Sequence, residues 1–169
     1  QPFDGIDSRR TLPARQRWAF HSDVPILMSG SLDDGRDQVL LFVDTFTDHN
    51  DREPGEAALR LLGAANLRVG RAQGQVCCGR PMISKGMLGE ARRLARRNIN
   101  ALAPYARAGI PIVGLEPSCL LTLRDEYLEF FPEDDQARVV ANATRLLEEL
   151  VVDIGAGRRG APPPLRGRG

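Results

Sequence analysis

Val39-Leu40-Leu41-Phe42-Val43-Asp44 is a continuous apolar run that stops at an aspartate. Six residues without polar alternation read as a strand covered on both faces, as in a parallel sheet flanked by helices. Ile110-Pro111-Ile112-Val113-Gly114-Leu115 has the same character, and Leu67 to Ala72 is a weaker third instance. Helical patterns lie between them. Pro54 suits a first helical turn, and Ala57, Ala58, Leu61, Leu62 and Ala65 follow at helical spacing, with Asn66 as a stop. Met87, Ala91, Leu94, Ala95, Asn98, Leu102 and Tyr105 mark one face of a longer helix, and Gly109 ends it. Arg92, Arg93, Arg96 and Arg97 fall on its other face and read as a solvated row. Strand and helix in alternation give an α/β fold: a small open parallel sheet, Rossmann-like, with right-handed crossovers in three layers.

The outer segments fit this core less well. Residues 1–38 hold Pro2, Pro13 and Pro25 without a sustained period and read as an irregular, surface-running linker. The α/β unit is expected over residues 39–153. Its last helices run from about Glu116 to Phe131 and from Asp134 or Asp135 to about Val152, with Val140, Ala141, Thr144, Leu147 and Val151 inward. Residues 154–169 form a Gly, Pro and Arg rich tail. Gly155-Ala156-Gly157-Arg158-Arg159-Gly160 matches a dinucleotide-binding pattern, but a helix precedes it and three prolines follow, so the required strand-to-helix context is missing. The chain opens on Gln1, and three or four strands make a thin sheet. Both features suggest a piece of a longer polypeptide.

Composition narrows the function. Net charge is +1 and aromatic residues make up 5%, which argues against a nucleic-acid surface. No apolar run approaches the ~20 residues that span a bilayer. The chain has three cysteines, too few and too close for a disulfide framework. Cys77 and Cys78 are adjacent in Val76-Cys77-Cys78-Gly79-Arg80-Pro81, and Cys119 lies in Leu115-Glu116-Pro117-Ser118-Cys119. Both segments read as strand ends turning into helices. Such ends converge at one edge of an open sheet, where ligands bind. Cys119 in a first helical turn has unpaired N–H groups beside it, which favour a thiolate. Thiolates bind metals and iron–sulfur clusters. Cys77, Cys78 and Cys119 are therefore the candidate ligands, with Glu116 as a further one whose simpler role is to cap the turn. Asp44, Thr45 and His49 share the expected edge, and each reads more simply as a loop-stabilising polar group.

The Cys77–Pro81 segment, the Ser84-Lys85-Gly86-Met87-Leu88 after it, and Gly114 to Cys119 resemble the cysteine-rich "CCG" domain. That domain occurs in the B subunit of heterodisulfide reductase, the iron–sulfur subunit of glycolate oxidase and the C subunit of anaerobic glycerol-3-phosphate dehydrogenase. Phe42-Val43-Asp44-Thr45-Phe46 and Leu115 to Tyr127 are similar to one branch, the FAD-linked D-lactate and glycolate dehydrogenases with a C-terminal CCG domain. The resemblance implies an iron–sulfur cluster, of the 4Fe-4S kind or another, and an electron-transfer role in an oxidoreductase of 2-hydroxy acids. FAD would belong to the parent protein, and catalysis to parts outside this stretch. Partners would be flavin and ferredoxin-like domains of the same polypeptide and an acceptor such as a quinone or cytochrome. The expected location is cytoplasmic, with peripheral attachment at the inner membrane face left open. Arg9 to Phe20 resembles the linker after a ferredoxin-like module.

The sequence also departs from the family. Thr45 stands where an upstream cysteine is expected, and Glu116 where the first cysteine of a Cys-x-x-Cys pair is expected. A second, similar half with its own Cys-Cys-Gly is not in the chain. These losses motivate an alternative of another class, a structural or docking domain with a degenerate cysteine site. Zinc held by the three thiolates with Glu116 or His49 is a third reading.

Overall fold

A computed structural model describes residues 18–28 and 37–157. Four short strands form one parallel sheet: β1 (Gln38–Phe42), β2 (Arg68–Gly70), β3 (Ile112–Gly114) and β4 (Thr144–Leu146), in the order β2-β1-β3-β4. Leu40 sits opposite Gly70 on one side and Ile112 on the other, and Gly114 opposite Leu146. The fold is the expected α/β sheet between helical layers.

The apolar run of β1 serves both faces because successive side chains point to opposite sides. Leu40 and Phe42 join Ile112 under α4 (Leu88–Arg107), α5 (Pro117–Arg124), α6 (Glu126–Phe130) and α7 (Asp135–Ala143). Val39, Leu41 and Val113 face Leu62 of α2 (Glu53–Ala64) and part of α8 (Leu147–Gly155). Two shorter helices, α1 (Thr45–His49) and α3 (Arg80–Ser84), follow β1 and the cysteine turn. The chain leaves β1 toward β2 over one face and goes from β2 to β3 over the other, as right-handed crossovers require. The connections after β1 and β3 therefore diverge, and a crevice opens at their carboxyl ends.

Four expectations change. Residues 18–28 are not a surface-running linker. A 3-10 turn over Phe20–Asp23 buries Phe20 and Val24 completely or nearly so, at 0% and 1% exposure, against Leu62 and Leu41. Ile26 then bridges to Arg71 beside β2. The polar stretch after β1 is a helix rather than a loop. Asp44, at its N-cap, accepts from the N–H groups of Phe46 and Thr47 at 3.0 and 2.9 Å. The helix expected from about Glu116 to Phe131 breaks at Asp125 into α5 and α6. The one expected from Asp134 to Val152 is interrupted by β4. Val140, Thr144 and Leu147 keep helical spacing, but Thr144 and Arg145 gain a ladder against Ile112 and Val113. Val151 is consequently 39% exposed.

The basic piece at Arg9–Pro13 and most of the Leu32–Gln38 turn lie outside the described residues, as do Arg158–Gly160 of the glycine pattern and the tail after it. Gly155 is the last residue of a helix, not the end of a strand. Among the described residues, no helix is long and apolar enough to cross a membrane.

Candidate functional site

The cysteine turn is held from behind by a buried polar pair. Asn98, fully buried in α4, accepts from the N–H of Val76 at 2.9 Å and donates to the carbonyl of Cys77 at 3.1 Å. Its amide also donates to the Tyr127 hydroxyl at 2.9 Å, and that hydroxyl donates to the carbonyl of Cys78 at 3.0 Å. Three consecutive residues thus have their backbone fixed by two side chains from different helices. Gly79 follows at φ 92°, a left-handed conformation that suits glycine, and its carbonyl starts α3 by accepting from Met82 and Ile83.

The opposite side is built from β3. Glu116 caps α5: its Oε1 accepts from the Ser118 N–H at 3.2 Å and from the Ser118 hydroxyl at 2.8 Å. This is the simpler role foreseen for it. Cys119 follows in the first turn. Its sulfur lies 3.0 Å from that of Cys78, and the two residues are 9% and 2% exposed. Cys77 is half-buried and hydrogen-bonds to Cys78 and to Thr45 of α1. All three thiols are free.

The surroundings of Cys77 and Cys78 favour their protonated forms. The hydrogen bond that Cys78 donates to Cys119, together with burial, pushes Cys78 up to about 12, with the Cys77 contact opposing. Cys77 is raised by its bond to Cys78 and by burial, although the Gly79 N–H and the Thr45 hydroxyl pull the other way. Burial also raises Tyr127, against the Asn98 hydrogen bond.

Beside Cys77 a cleft of about 250 Å³ opens between α1 and the 3-10 turn. His21 and His49 both meet Asp48 there, His21 Nδ1 at 2.9 Å and His49 Nε2 at 3.4 Å. Gln75 spans the floor. Its Nε2 donates to the Val43 carbonyl at 2.7 Å, while its Oε1 is buried without a partner. Asp44 spends both oxygens on Phe46, Thr47 and the Thr47 hydroxyl.

The structure therefore brings together Cys77, Cys78 and Cys119, and adds Thr45 as a hydrogen-bond partner of the first. It assigns Asp44 and Glu116 to helix caps and sets His49 beside the Asp48 carboxylate. Among the described residues, no three His, Cys, Asp or Glu side chains are spread as a ready metal cage. The donor set still suits a soft metal: three free thiols meet in one cluster, two of them buried. Two thiolates on one zinc, each about 2.3 Å from it, lie nearly 4 Å apart, so the thiols would open slightly to admit an ion. Sequence reading missed Asn98 and Tyr127 as supports of the turn. The available signal was a carboxamide on an otherwise apolar helix face.

Comparison with known proteins places this geometry. The chain is 30% identical over 132 residues to the C subunit of anaerobic glycerol-3-phosphate dehydrogenase from Escherichia coli, covering 78% of this chain and 33% of that protein. It is 28% identical over 121 residues to lactate utilization protein A of Bacillus subtilis, covering 69% of this chain and 49% of that protein. It is 35% identical over 113 residues to the B subunit of fumarate reductase (CoM/CoB) from Methanothermobacter marburgensis, covering 67% of this chain and 22% of that one. The chain thus spans half or less of the length of these relatives. Residues 41–124, which carry all three cysteines, match the cysteine-rich domain called CCG, and through them the chain belongs to the CCG cysteine-rich domain family.

Proposed function

We propose that residues 39–153 form an electron-transfer domain that holds an iron–sulfur cluster through Cys77, Cys78 and Cys119. The observation that carries the reading is the convergence of three free thiols at the carboxyl edge of a parallel sheet. Support also comes from relatives named as parts of a dehydrogenase and of a reductase. A bound cluster supplies one-electron storage and release. The chain's own part is to position the sulfurs, through Asn98 and Tyr127 on one side and the Glu116 cap on the other, and to exclude water. Loading releases the thiol protons, so it is favoured as pH rises. In the finer form of the proposal the parent is an FAD-dependent dehydrogenase of a 2-hydroxy acid such as D-lactate or glycolate. The flavin and ferredoxin-like domains then deliver electrons, and a quinone or cytochrome accepts them. The test is iron and acid-labile sulfide content of the full-length protein purified without oxygen, beside a Cys77→Ser variant. Both should be present and should fall in the variant. Their absence from folded protein sinks the reading.

A second reading is a docking domain whose cysteines hold no metal. It is favoured by the assignment of Glu116 to a cap and by the lack of a ready metal cage among the described residues. It expects Cys77→Ser to leave parent assembly and electron transfer intact. Zinc in place of iron in the same analysis would identify a structural metal instead.

A further inference from the structure

Cys78 and Cys119 are closer than two metal-bound thiolates need to be. Their sulfurs lie 3.0 Å apart, within van der Waals contact, and neither is in a disulfide. They are 41 positions apart in the chain, so a bond between them closes no strained ring. The adjacent pair Cys77 and Cys78 lacks that freedom, because a disulfide between neighbours must close a small ring through their shared peptide. Both backbones are held: Cys78 by the Tyr127 hydroxyl on its carbonyl, and Cys119 by its N–H on the Glu116 carbonyl at 3.0 Å. The two sulfurs are thus presented to each other by separately anchored segments, with Cys77 as the neighbouring third thiol.

We propose that Cys78 and Cys119 form a reversible dithiol–disulfide couple, closed by hydrogen peroxide and reopened by a small thiol. In the closing reaction one sulfur attacks a peroxide oxygen, becomes a sulfenic acid and releases water. The second sulfur displaces the hydroxyl group, which leaves as a second water with the second thiol's proton. The two thiols lose two hydrogen atoms, and hydrogen peroxide is reduced to two waters. Reopening consumes two equivalents of thiol, which depart as one disulfide. As control of the proposed metal centre the couple rests on that reading, since the bond withdraws two of its three thiolates. The bond itself rests only on the geometry of the thiols.

The test uses the full-length protein freed of metal and reduced, treated with hydrogen peroxide, then alkylated and mapped by peptide mass. The expected result is loss of two hydrogen atoms per chain and a Cys78–Cys119 cross-link that dithiothreitol removes. Cys77→Ser should cross-link as the unchanged protein does, and Cys119→Ser should not. A Cys77–Cys78 cross-link, links between chains, or sulfinic acid without a link at either residue would overturn the proposal. Zinc binding is measured on the reduced and oxidised samples in parallel. Zinc bound only by the reduced form supports control of the centre, and equal binding by both overturns it. Failure of the reduced protein to bind zinc or iron counts against the metal reading alone, because the cross-link is scored without metal.

Discussion

The hydroxyl of Tyr127 donates to the carbonyl oxygen of Cys78 at 3.0 Å, and the ring that carries it has no exposed surface. Tyr127→Phe keeps the ring and removes the bond, leaving a buried carbonyl without a donor. The expected cost is about 1–3 kcal/mol, measured by denaturant unfolding. Metal content should fall as well, because the Cys78 backbone is freed. An unchanged midpoint would show that water or a neighbour replaces the hydroxyl.

Asn98 and Tyr127 should act as one unit. Asn98 donates to the Tyr127 hydroxyl while also holding Val76 and Cys77. A double-mutant cycle with Asn98→Ala and Tyr127→Phe should give a coupling of about 0.5–3 kcal/mol. Simple additivity would mean that each side chain supports the turn independently.

Glu116 separates capping from ligation. Its carboxylate is occupied by the Ser118 N–H and hydroxyl. Glu116→Ala should cost about 1 kcal/mol through loss of the cap. Glu116→Gln retains an acceptor oxygen and should keep both the fold and the metal content. Loss of metal from a stable Glu116→Gln protein would make the carboxylate a ligand and contradict the cap assignment.

The sheet and the meeting of the thiols were legible because both follow from local chemistry. β1 and β3 are apolar runs ending in polar turns, and Cys119 stands in a first helical turn after β3, whereas Cys77 and Cys78 lie in a loop several residues past the end of β2. What was not legible depended on contacts made across the chain. Thr144 and Arg145 continue a helical spacing, and only the exposed edge of β3 draws them into a strand. Phe20 looks like one apolar residue in an irregular segment until Gly55 provides a surface without a side chain for it. Asn98 was placed on the inward face of its helix, but nothing nearby in sequence announces its partners, which lie 21, 22 and 29 positions away.

Phe20 and Gly55 give a packing test of the segment before β1. A Cβ on Gly55 would meet the Phe20 ring at 2.6 Å, and that ring is 0% exposed. Phe20→Ala should cost about 3–5 kcal/mol. Gly55→Ala should also destabilise the domain, by about 1–3 kcal/mol of overpacking. In the Phe20→Ala background the Gly55→Ala cost should disappear, since the clashing ring is gone. Persistence of the full cost would mean that the segment does not pack there in solution.

Acid should weaken the far end of the sheet. Glu149 accepts from the Leu146 N–H at 2.9 Å and pairs with Arg124 at 3.1 Å, tying α8 and β4 to α5. Burial alone would raise its carboxyl, but the Leu146 N–H, Arg124 and the charge of Arg145 outweigh it and hold it below the usual carboxylate range. A carboxyl depressed in the folded state contributes stability above its unfolded value, about 4.3, and loses it as pH falls through the lower folded value. The side chain is 40% exposed, so solvent screening keeps this contribution modest. Glu149→Gln should therefore be less stable than the unchanged protein near neutral pH, with the difference shrinking as pH falls below about 4. Unfolding midpoints across that range provide the check. A difference that stays constant with pH would mean that the capping geometry, which glutamine can partly keep, matters and the charge does not.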